Sequence, residues 1–216
     1  MMNQLFDYYM VALFLTDALP LIVFICLSKS RKEQVPKLLL SWLLIRLMAD
    51  YLCGIADYFQ LPTYPVFHFS IFMEFTLLTL YFIQLKQLKS IWRMVLLSIP
   101  LLVFLTELSF INSLFELNEF SILVSSFLTT LLFLSLLFDQ KILNENQVKT
   151  VTALFLYHAV TMIFGVFQRE MRTNTETMQL IYPFFLLSYV SISVYFTYLF
   201  WILRKKGEGK MAIKGN

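Results

Sequence analysis

Long apolar stretches, each about as long as a membrane-crossing helix, dominate this 216-residue chain. A bilayer core of about 30 Å is crossed by about 20 helical residues. Stretches of that length cover residues 8–28, 38–59, 66–85, 91–111, 119–138, 150–168 and 178–203. The connections between them are too short for a folded soluble domain. The sequence therefore predicts an all-α, polytopic membrane protein whose residues 1–203 form one domain of seven transmembrane helices.

The composition excludes a soluble protein. Hydrophobic residues make up 59% of the chain and charged residues 14%, whereas a soluble domain has roughly 25% charged residues. A water-soluble domain of this length would need a polar surface that so few polar side chains cannot supply. The lipid bilayer is therefore the first partner that the sequence predicts.

The positions of the basic residues predict the orientation of the helices. Four lie between the first and second spans, three between the third and fourth, two between the fifth and sixth, and five after the seventh. The connections on the other side contain only Arg169 and Arg172. Because basic connections stay in the cytoplasm, we expect a protein of the cytoplasmic membrane with an outer N-terminus and a basic cytoplasmic tail over residues 204–216. This asymmetry accounts for the net charge of +3 and does not indicate a nucleic-acid partner.

Two spans open with the same short motif. Residues 64–70 read YPVFHFS and residues 182–188 read YPFFLLS, so both follow the pattern Y-P-x-F-x-x-S at the predicted outer end of a helix. A parallel repeat of helices one to three and five to seven, joined by helix four, would explain the match. This three-plus-one-plus-three plan resembles the heptahelical superfamily that groups sugar-type semi-transporters, cargo-retrieval receptors and opsins, which implies a site near the midplane of the membrane.

The chemistry of the chain departs from the branches of that superfamily. The Pro-Gln pair of the transporter branch is absent, and the span 178–203 has no lysine that could form the Schiff base of an opsin. The resemblance therefore covers the architecture of the spans and implies no cofactor.

Ionisable residues inside the second span lie on one face of its helix. Arg46, Asp50, Cys53 and Asp57 fall within about 60° of one another at ~100° per residue. Arg46 and Asp50 have the i, i+4 spacing of a helical ion pair, so we expect them to pair with each other. Ionisable side chains within membrane spans face the interior of the bundle or a cavity. This face is therefore the first candidate for a functional site.

Four predicted helices carry an ionisable residue at a similar depth. Counting ~1.5 Å per residue from the outer end of each span places Asp17, Asp50, Glu74 and His158 roughly 12–15 Å below the outer surface. Together with Arg46 they form the predicted ligand or proton site. Three further residues form its predicted outer mouth, namely Asp57, His68 and Glu107.

The sequence contains no motif of a catalytic or metal site. Its two histidines, His68 and His158, lie on different predicted helices, and the motifs H-E-x-x-H and G-x-S-x-G are absent. We therefore predict no catalytic residues, no metal and no cofactor. An intramembrane lipid-modifying enzyme that uses Asp17 and Asp50 as an acid/base pair is the weakest functional hypothesis.

Three other interpretations of the polar cluster remain open. In the one we favour, the cluster binds or translocates a small polar or ionic solute from the outer face, with Arg46, Asp50 and Glu74 at its centre. Carboxylates outnumber basic groups there, so we expect at least one to be protonated or to bind a cation. Alternatively, the cluster is the ligand site of a seven-helix sensor or receptor that signals to a separate protein partner on the cytoplasmic side. In the third interpretation it is a structural ion-pair network between helices two and three.

Overall fold

The computed structural model describes residues 16–27, 35–111, 119–139 and 142–212. Seven helices occupy most of these ranges, and we number them α1 to α7 in chain order. They are Thr16–Ile25, Lys37–Tyr58, Tyr64–Lys86, Ser90–Thr106, Glu119–Phe138, Glu145–Thr173 and Thr175–Ala212. A π-helical turn, Glu107–Ile111, directly follows α4.

Six of these helices, α2 to α7, are long and apolar enough to cross a bilayer. Together they confirm the predicted all-α, multi-pass class of membrane protein. The first predicted span, 8–28, lies partly outside the described residues, and its described helix, α1, is shorter than a full crossing. The backbone of α7 stays helical as far as Ala212, so the predicted tail at 204–216 begins inside this helix.

Five of the helices form a continuous series. α2 packs against α3, α3 against α5, α5 against α6, and α6 against α7. The described part of α1 links the two ends of the series, because Asp17 contacts Arg46 of α2 and Ser193 of α7. α4 contacts α3 and α5, and Pro100 is its one buried residue. α4 therefore lies at the periphery of the bundle.

Local interactions determine where several helices begin and end. At the start of α6 the backbone N–H of Gln147 donates to Oδ1 of Asn144, and the N–H of Asn144 donates to Oε1 of Gln147, each at 2.9 Å. This reciprocal arrangement is a capping box. Pro65 lies in the first turn of α3, where its missing N–H needs no partner. α3 ends at Gln87, whose φ of 51° is the left-handed conformation of a helix C-cap.

A layer of large apolar side chains fills the middle of the bundle. Its members are at most 1% exposed and come from five helices: Trp42, Leu78, Phe133, Leu154 and Phe196. We call these five residues the core layer. The rings of Trp42 and Phe196 meet edge to face with their centroids 5.8 Å apart, a favourable geometry for aromatic pairs. The core layer leaves no room for an aqueous path through the described part of the bundle at this level.

α5 and α6 approach each other closely at Gly165. A methyl group on its Cα would lie 3.2 Å from Cγ2 of Ile122 and 3.3 Å from the backbone N and Cα of Leu123. A helix backbone cannot move aside as a flexible side chain can, so this approach requires glycine. Gly54 of α2 is different, because a methyl group there would meet no atom within 4 Å.

Candidate functional site

A cavity of about 310 Å³ lies among α2, α3, α5, α6 and α7. Its wall extends from Tyr64 in the first turn of α3 to Phe75 in the middle of that helix. The core layer begins directly beyond, at Leu78. The wall carries six ionisable side chains, namely Arg46, Asp50, Glu74, Tyr157, His158 and Tyr189. The cavity therefore occupies the half of the bundle that contains the start of α3, and it is polar on one side.

Arg46 is a buried cation that an aromatic cage surrounds. Its Nη2 donates to Oδ1 of Asp17 at 3.4 Å, and both side chains are at most 3% exposed. The guanidinium carbon lies 4.0 Å from the ring centroid of Tyr189 and 5.0 Å from those of Trp42 and Tyr157. The negative faces of the rings and the Asp17 carboxylate stabilise the charge away from water.

The predicted pairing of Arg46 with Asp50 along α2 is wrong. The ion-pair partner of Arg46 is Asp17, on a different helix. The carboxyl group of Asp50 instead lies against the hydroxyl of Tyr189, with Oδ2 and Oη 2.5 Å apart. Helical spacing permits the i, i+4 pair, but the contacts that α1 and α7 bring to α2 satisfy both side chains separately.

The hydroxyl of Tyr189 bridges two carboxyl groups. Its Oη lies 2.6 Å from Oδ2 of Asp17 and 2.5 Å from Oδ2 of Asp50. A phenol carries one hydrogen and can donate to only one of these oxygens, so the other carboxyl group must carry a proton and donate to Oη. Asp17 also accepts from Arg46 and from Ser193, whose Oγ is 2.5 Å from Oδ1. Asp17 is therefore the ionised member, and Asp50 is the protonated one.

Glu74 lies on the cavity wall away from this pair. Its Oε2 accepts a hydrogen bond of 2.9 Å from Nε1 of Trp42. The ion pairs among the described residues are Arg46–Asp17, Lys86–Asp139 and Lys149–Glu145, so no basic group within the described ranges pairs with Glu74. It is the one acidic group of the wall whose charge nothing nearby balances.

Two buried basic side chains on the wall have unused hydrogen-bonding atoms. Neither ring nitrogen of His158 has a hydrogen-bond partner among the described residues, and the same holds for Nε and Nη1 of Arg46. The two side chains are 7% and 3% exposed. Buried polar atoms are almost always hydrogen-bonded, so these atoms identify the cavity as a place where a polar group from outside the chain fits.

The structure brings the five predicted site residues together. Arg46, Asp50, Glu74 and His158 line the cavity, and Asp17 lies behind Arg46 as its counter-ion. Their depths in the sequence predicted this level correctly, although the rotation of each helix could not be known. Which of them binds a ligand or a proton stays a prediction.

The three residues of the predicted mouth do not form a group on the cavity wall. Asp57 is exposed on the last turn of α2. Glu107 is fully buried, and its Oε2 accepts the backbone N–H of Ser121 at 2.8 Å. It thereby satisfies one of the amides that lack partners at the start of α5. His68 is fully buried and is not among the described wall residues.

Sequence reasoning missed the side chains that organise the site. Tyr189 and Ser193 are spaced i, i+4 on α7, and the aromatic cage adds Trp42 and Tyr157. The hydroxyls expected from the seventh span were a different set: Ser188, Ser191, Tyr195 and Tyr198. Of these, Ser188 donates to the backbone of its own helix and Tyr195 bonds to Thr150. A signal for the correct face was present, because Tyr189, Ser193, Phe196 and Phe200 recur every three or four residues.

Comparison with protein families, curated proteins and solved structures finds no match for this chain. The chemistry of the site has to be argued from its own geometry. No three His, Cys, Asp or Glu side chains among residues 16–27, 35–111, 119–139 and 142–212 are grouped so that they could hold a metal ion.

Removing the Tyr189 hydroxyl tests the bridge between the two aspartates. We expect Tyr189→Phe to lower the free energy of unfolding by about 1.5–3 kcal/mol, because Asp17 and Asp50 each lose a strong hydrogen bond. Tyr195→Phe is the matched control: its hydroxyl lies 3.1 Å from the neutral Thr150, so its loss should cost about 0.5–1.5 kcal/mol. The measurement is the loss of helical circular dichroism as SDS is added to protein in mixed micelles. Equal losses in the two variants would contradict the bridge.

Proposed function

We propose that this chain binds a small polar or ionic solute in the cavity and moves it across the membrane. The observation that carries the proposal is that Arg46 and His158, both buried, present unpartnered nitrogen atoms at a cavity also lined by Asp50 and Glu74. A purely structural network would be expected to satisfy its own buried polar atoms. A cavity of about 310 Å³ is also comparable with the smaller known ligand sites of roughly 300–1,000 Å³.

The side from which solute enters is part of the proposal. The wall residues belong to the ends of the helices that the basic-residue asymmetry predicts to lie outside. We therefore propose that the cavity opens towards the outer face of the cytoplasmic membrane, with residues 8–28 as a seventh crossing and the C-terminus inside. Fusing alkaline phosphatase, which is active only outside the cytoplasm, to each connection would test the orientation.

The parallel repeat is also retained as a proposal, and one pair of matching contacts supports it. In the motif on α3, Ser70 donates to the backbone oxygen of Phe67 at 3.0 Å. In the motif on α7, Ser188 donates to that of Phe185 at 2.7 Å. Both phenylalanines line the cavity. The two copies differ in position, since Pro65 begins α3 whereas Pro183 lies inside α7.

A ligand-binding sensor is the second candidate, and the core layer favours it. Its five side chains are almost fully buried, and they separate the cavity from the end of the bundle that carries the basic connections. A transporter must open this layer in part of its cycle, whereas a sensor only has to transmit a small movement of α2 or α7 through it to a cytoplasmic partner.

Uptake by reconstituted protein distinguishes these functions. Proteoliposomes would be incubated with a defined mixture of amines, amino acids, carboxylic acids and sugars, washed, and analysed by mass spectrometry. We expect the parent to accumulate one chemical class, and we expect Asp50→Asn and Glu74→Gln to reduce that uptake at least ~10-fold, because both carboxyl groups lie on the wall. Asp57→Asn is the matched control on α2, since Asp57 is exposed.

Each other outcome assigns a different role. If a solute binds to the purified parent but does not accumulate in vesicles, the sensor is correct. If nothing binds or accumulates, and the Asp50 and Glu74 variants only lose stability, the cluster is a structural network.

A further inference from the structure

The charges around the cavity cancel everywhere except at Glu74. Arg46 is balanced by Asp17 at 3.4 Å, and the hydrogen-bond geometry at Tyr189 makes Asp50 a neutral acid. His158 has no hydrogen-bonded acid beside it. An ionised Glu74 would therefore leave one negative charge on the wall of an intramembrane cavity, which is costly without a cation.

The surroundings of Glu74 contain no second basic group that could balance it. α2 contributes Arg46 and Asp50, α6 contributes Tyr157 and His158, and α7 contributes Tyr189. On the wall, α5 contributes the hydroxyls Ser125, Ser126 and Thr129 but no ionisable side chain, and α4 contributes no described wall residue. The guanidinium of Arg46 already has Asp17 and three aromatic rings as partners.

The wall suits an organic cation better than an anion. Its aromatic members include Tyr64, Phe67, Phe75, Phe164 and Phe185, and the faces of such rings attract ammonium groups. An unprotonated nitrogen of His158 can accept an N–H from the ligand. The spare N–H groups of Arg46 would suit a carboxylate, but an anion there would lie among acidic groups with no further cation to balance it.

We propose that the ligand of this cavity is a small organic ammonium ion, which Glu74 binds in exchange for a proton. The inference rests on the proposed function, because it names the solute class of the same site. In the empty cavity Glu74 is a neutral acid that accepts from Trp42 through its carbonyl oxygen. When the ammonium ion enters, the carboxyl proton leaves to water, and the carboxylate pairs with the ligand. One positive charge enters as one leaves, so the charge of the cavity is unchanged.

Calorimetry with a simple amine tests this exchange. The purified parent in detergent would be titrated with phenethylamine, with its neutral counterpart 2-phenylethanol and with the anion phenylacetate, each in two buffers of different protonation enthalpy. We expect phenethylamine to bind with release of about one proton and the other two to bind more weakly. Infrared difference spectra should show the loss of one protonated-carboxyl band on binding.

Two variants make the result specific to Glu74. Glu74→Gln keeps an oxygen that can accept from Trp42, so it should fold, yet it should bind phenethylamine about 30-fold more weakly or worse and release no proton. Glu145→Gln makes the same change at an exposed acid paired with Lys149 and should behave as the parent. Uniform partitioning of the amine into detergent would appear equally in all three proteins.

The opposite results overturn the inference and separate it from the proposed function. If phenethylamine binds without proton release, or equally well to Glu74→Gln, the exchange is wrong. If phenylacetate or 2-phenylethanol binds preferentially, the cavity remains a solute site and only the ligand class is wrong. If no probe binds, the ammonium proposal fails, and the vesicle uptake experiment separately decides whether the chain carries another solute.

Discussion

Replacing Arg46 by methionine should lower the free energy of unfolding by about 3–5 kcal/mol, the largest loss we expect from any single change in this chain. The substitution keeps much of the length of the side chain but removes the charge. Asp17 would then be an unpaired carboxylate at 3% exposure, and the rings of Trp42, Tyr157 and Tyr189 would lose the cation they surround. The measurement is SDS titration in mixed micelles, followed by circular dichroism.

The double variant Arg46→Met, Asp17→Asn is the control for this prediction. It removes both charges, and an asparagine at position 17 can still accept hydrogen bonds from Tyr189 and Ser193. Replacing both partners of a buried ion pair by neutral groups often costs little, so we expect the double variant to recover more than half of the lost stability. If it is less stable than Arg46→Met, the charge of Asp17 does not cause the loss.

Arg46→Lys should not restore the parent. A lysine ammonium lacks the flat guanidinium that stacks on aromatic faces, and the cage is built from three rings at 4.0–5.0 Å. We expect its stability to lie between those of the parent and the methionine variant.

The second large effect concerns the contact between α5 and α6. Gly165→Ala should lower the free energy of unfolding by about 1–3 kcal/mol, because the new methyl group would lie 3.3 Å from the backbone of Leu123. Separating the helices to relieve this contact would also widen the cavity, whose wall includes Ile122 and Phe164 on either side of the contact. The same SDS titration measures the change.

Gly54→Ala provides a matched control with the opposite expected sign. The added methyl group would meet no atom within 4 Å, and alanine favours a helix by up to about 1 kcal/mol over glycine. We expect Gly54→Ala to be neutral or slightly stabilising. If both alanine variants behave alike, the close approach at Gly165 does not limit the packing of α5 on α6.

Hydrophobicity and spacing predicted the elements of this fold well, because lipid leaves few alternatives to a helix. The predicted fifth span, 119–138, coincides with α5, and the second span differs by one residue at each end. The ends of α6 and α7 were less predictable. α6 begins at Glu145, where a capping box extends the helix beyond the apolar stretch.

The composition of the site was partly predictable, but its connections were not. Cost in lipid singled out Arg46, Asp50 and Glu74, and depth added Asp17 and His158. Depth along a helix follows from counting residues, whereas the partner of each side chain depends on helix rotation, which a single sequence does not determine. The same reasoning placed Glu107 at the mouth, although it serves the backbone at the start of α5.

The hydrogen bonds through Tyr189 have a direction. They run from the Asp50 carboxyl group to Oη of Tyr189 and from its hydroxyl to Asp17, over distances of 2.5 and 2.6 Å. Shifting each hydrogen by one bond would move the negative charge from Asp17 to Asp50, and thus onto the cavity wall, with hardly any movement of heavy atoms. Arg46 opposes this shift because it pairs with Asp17, whereas a cation beside Asp50 would favour it. The three side chains thus form a relay in which the occupancy of the cavity selects the acid that carries the charge.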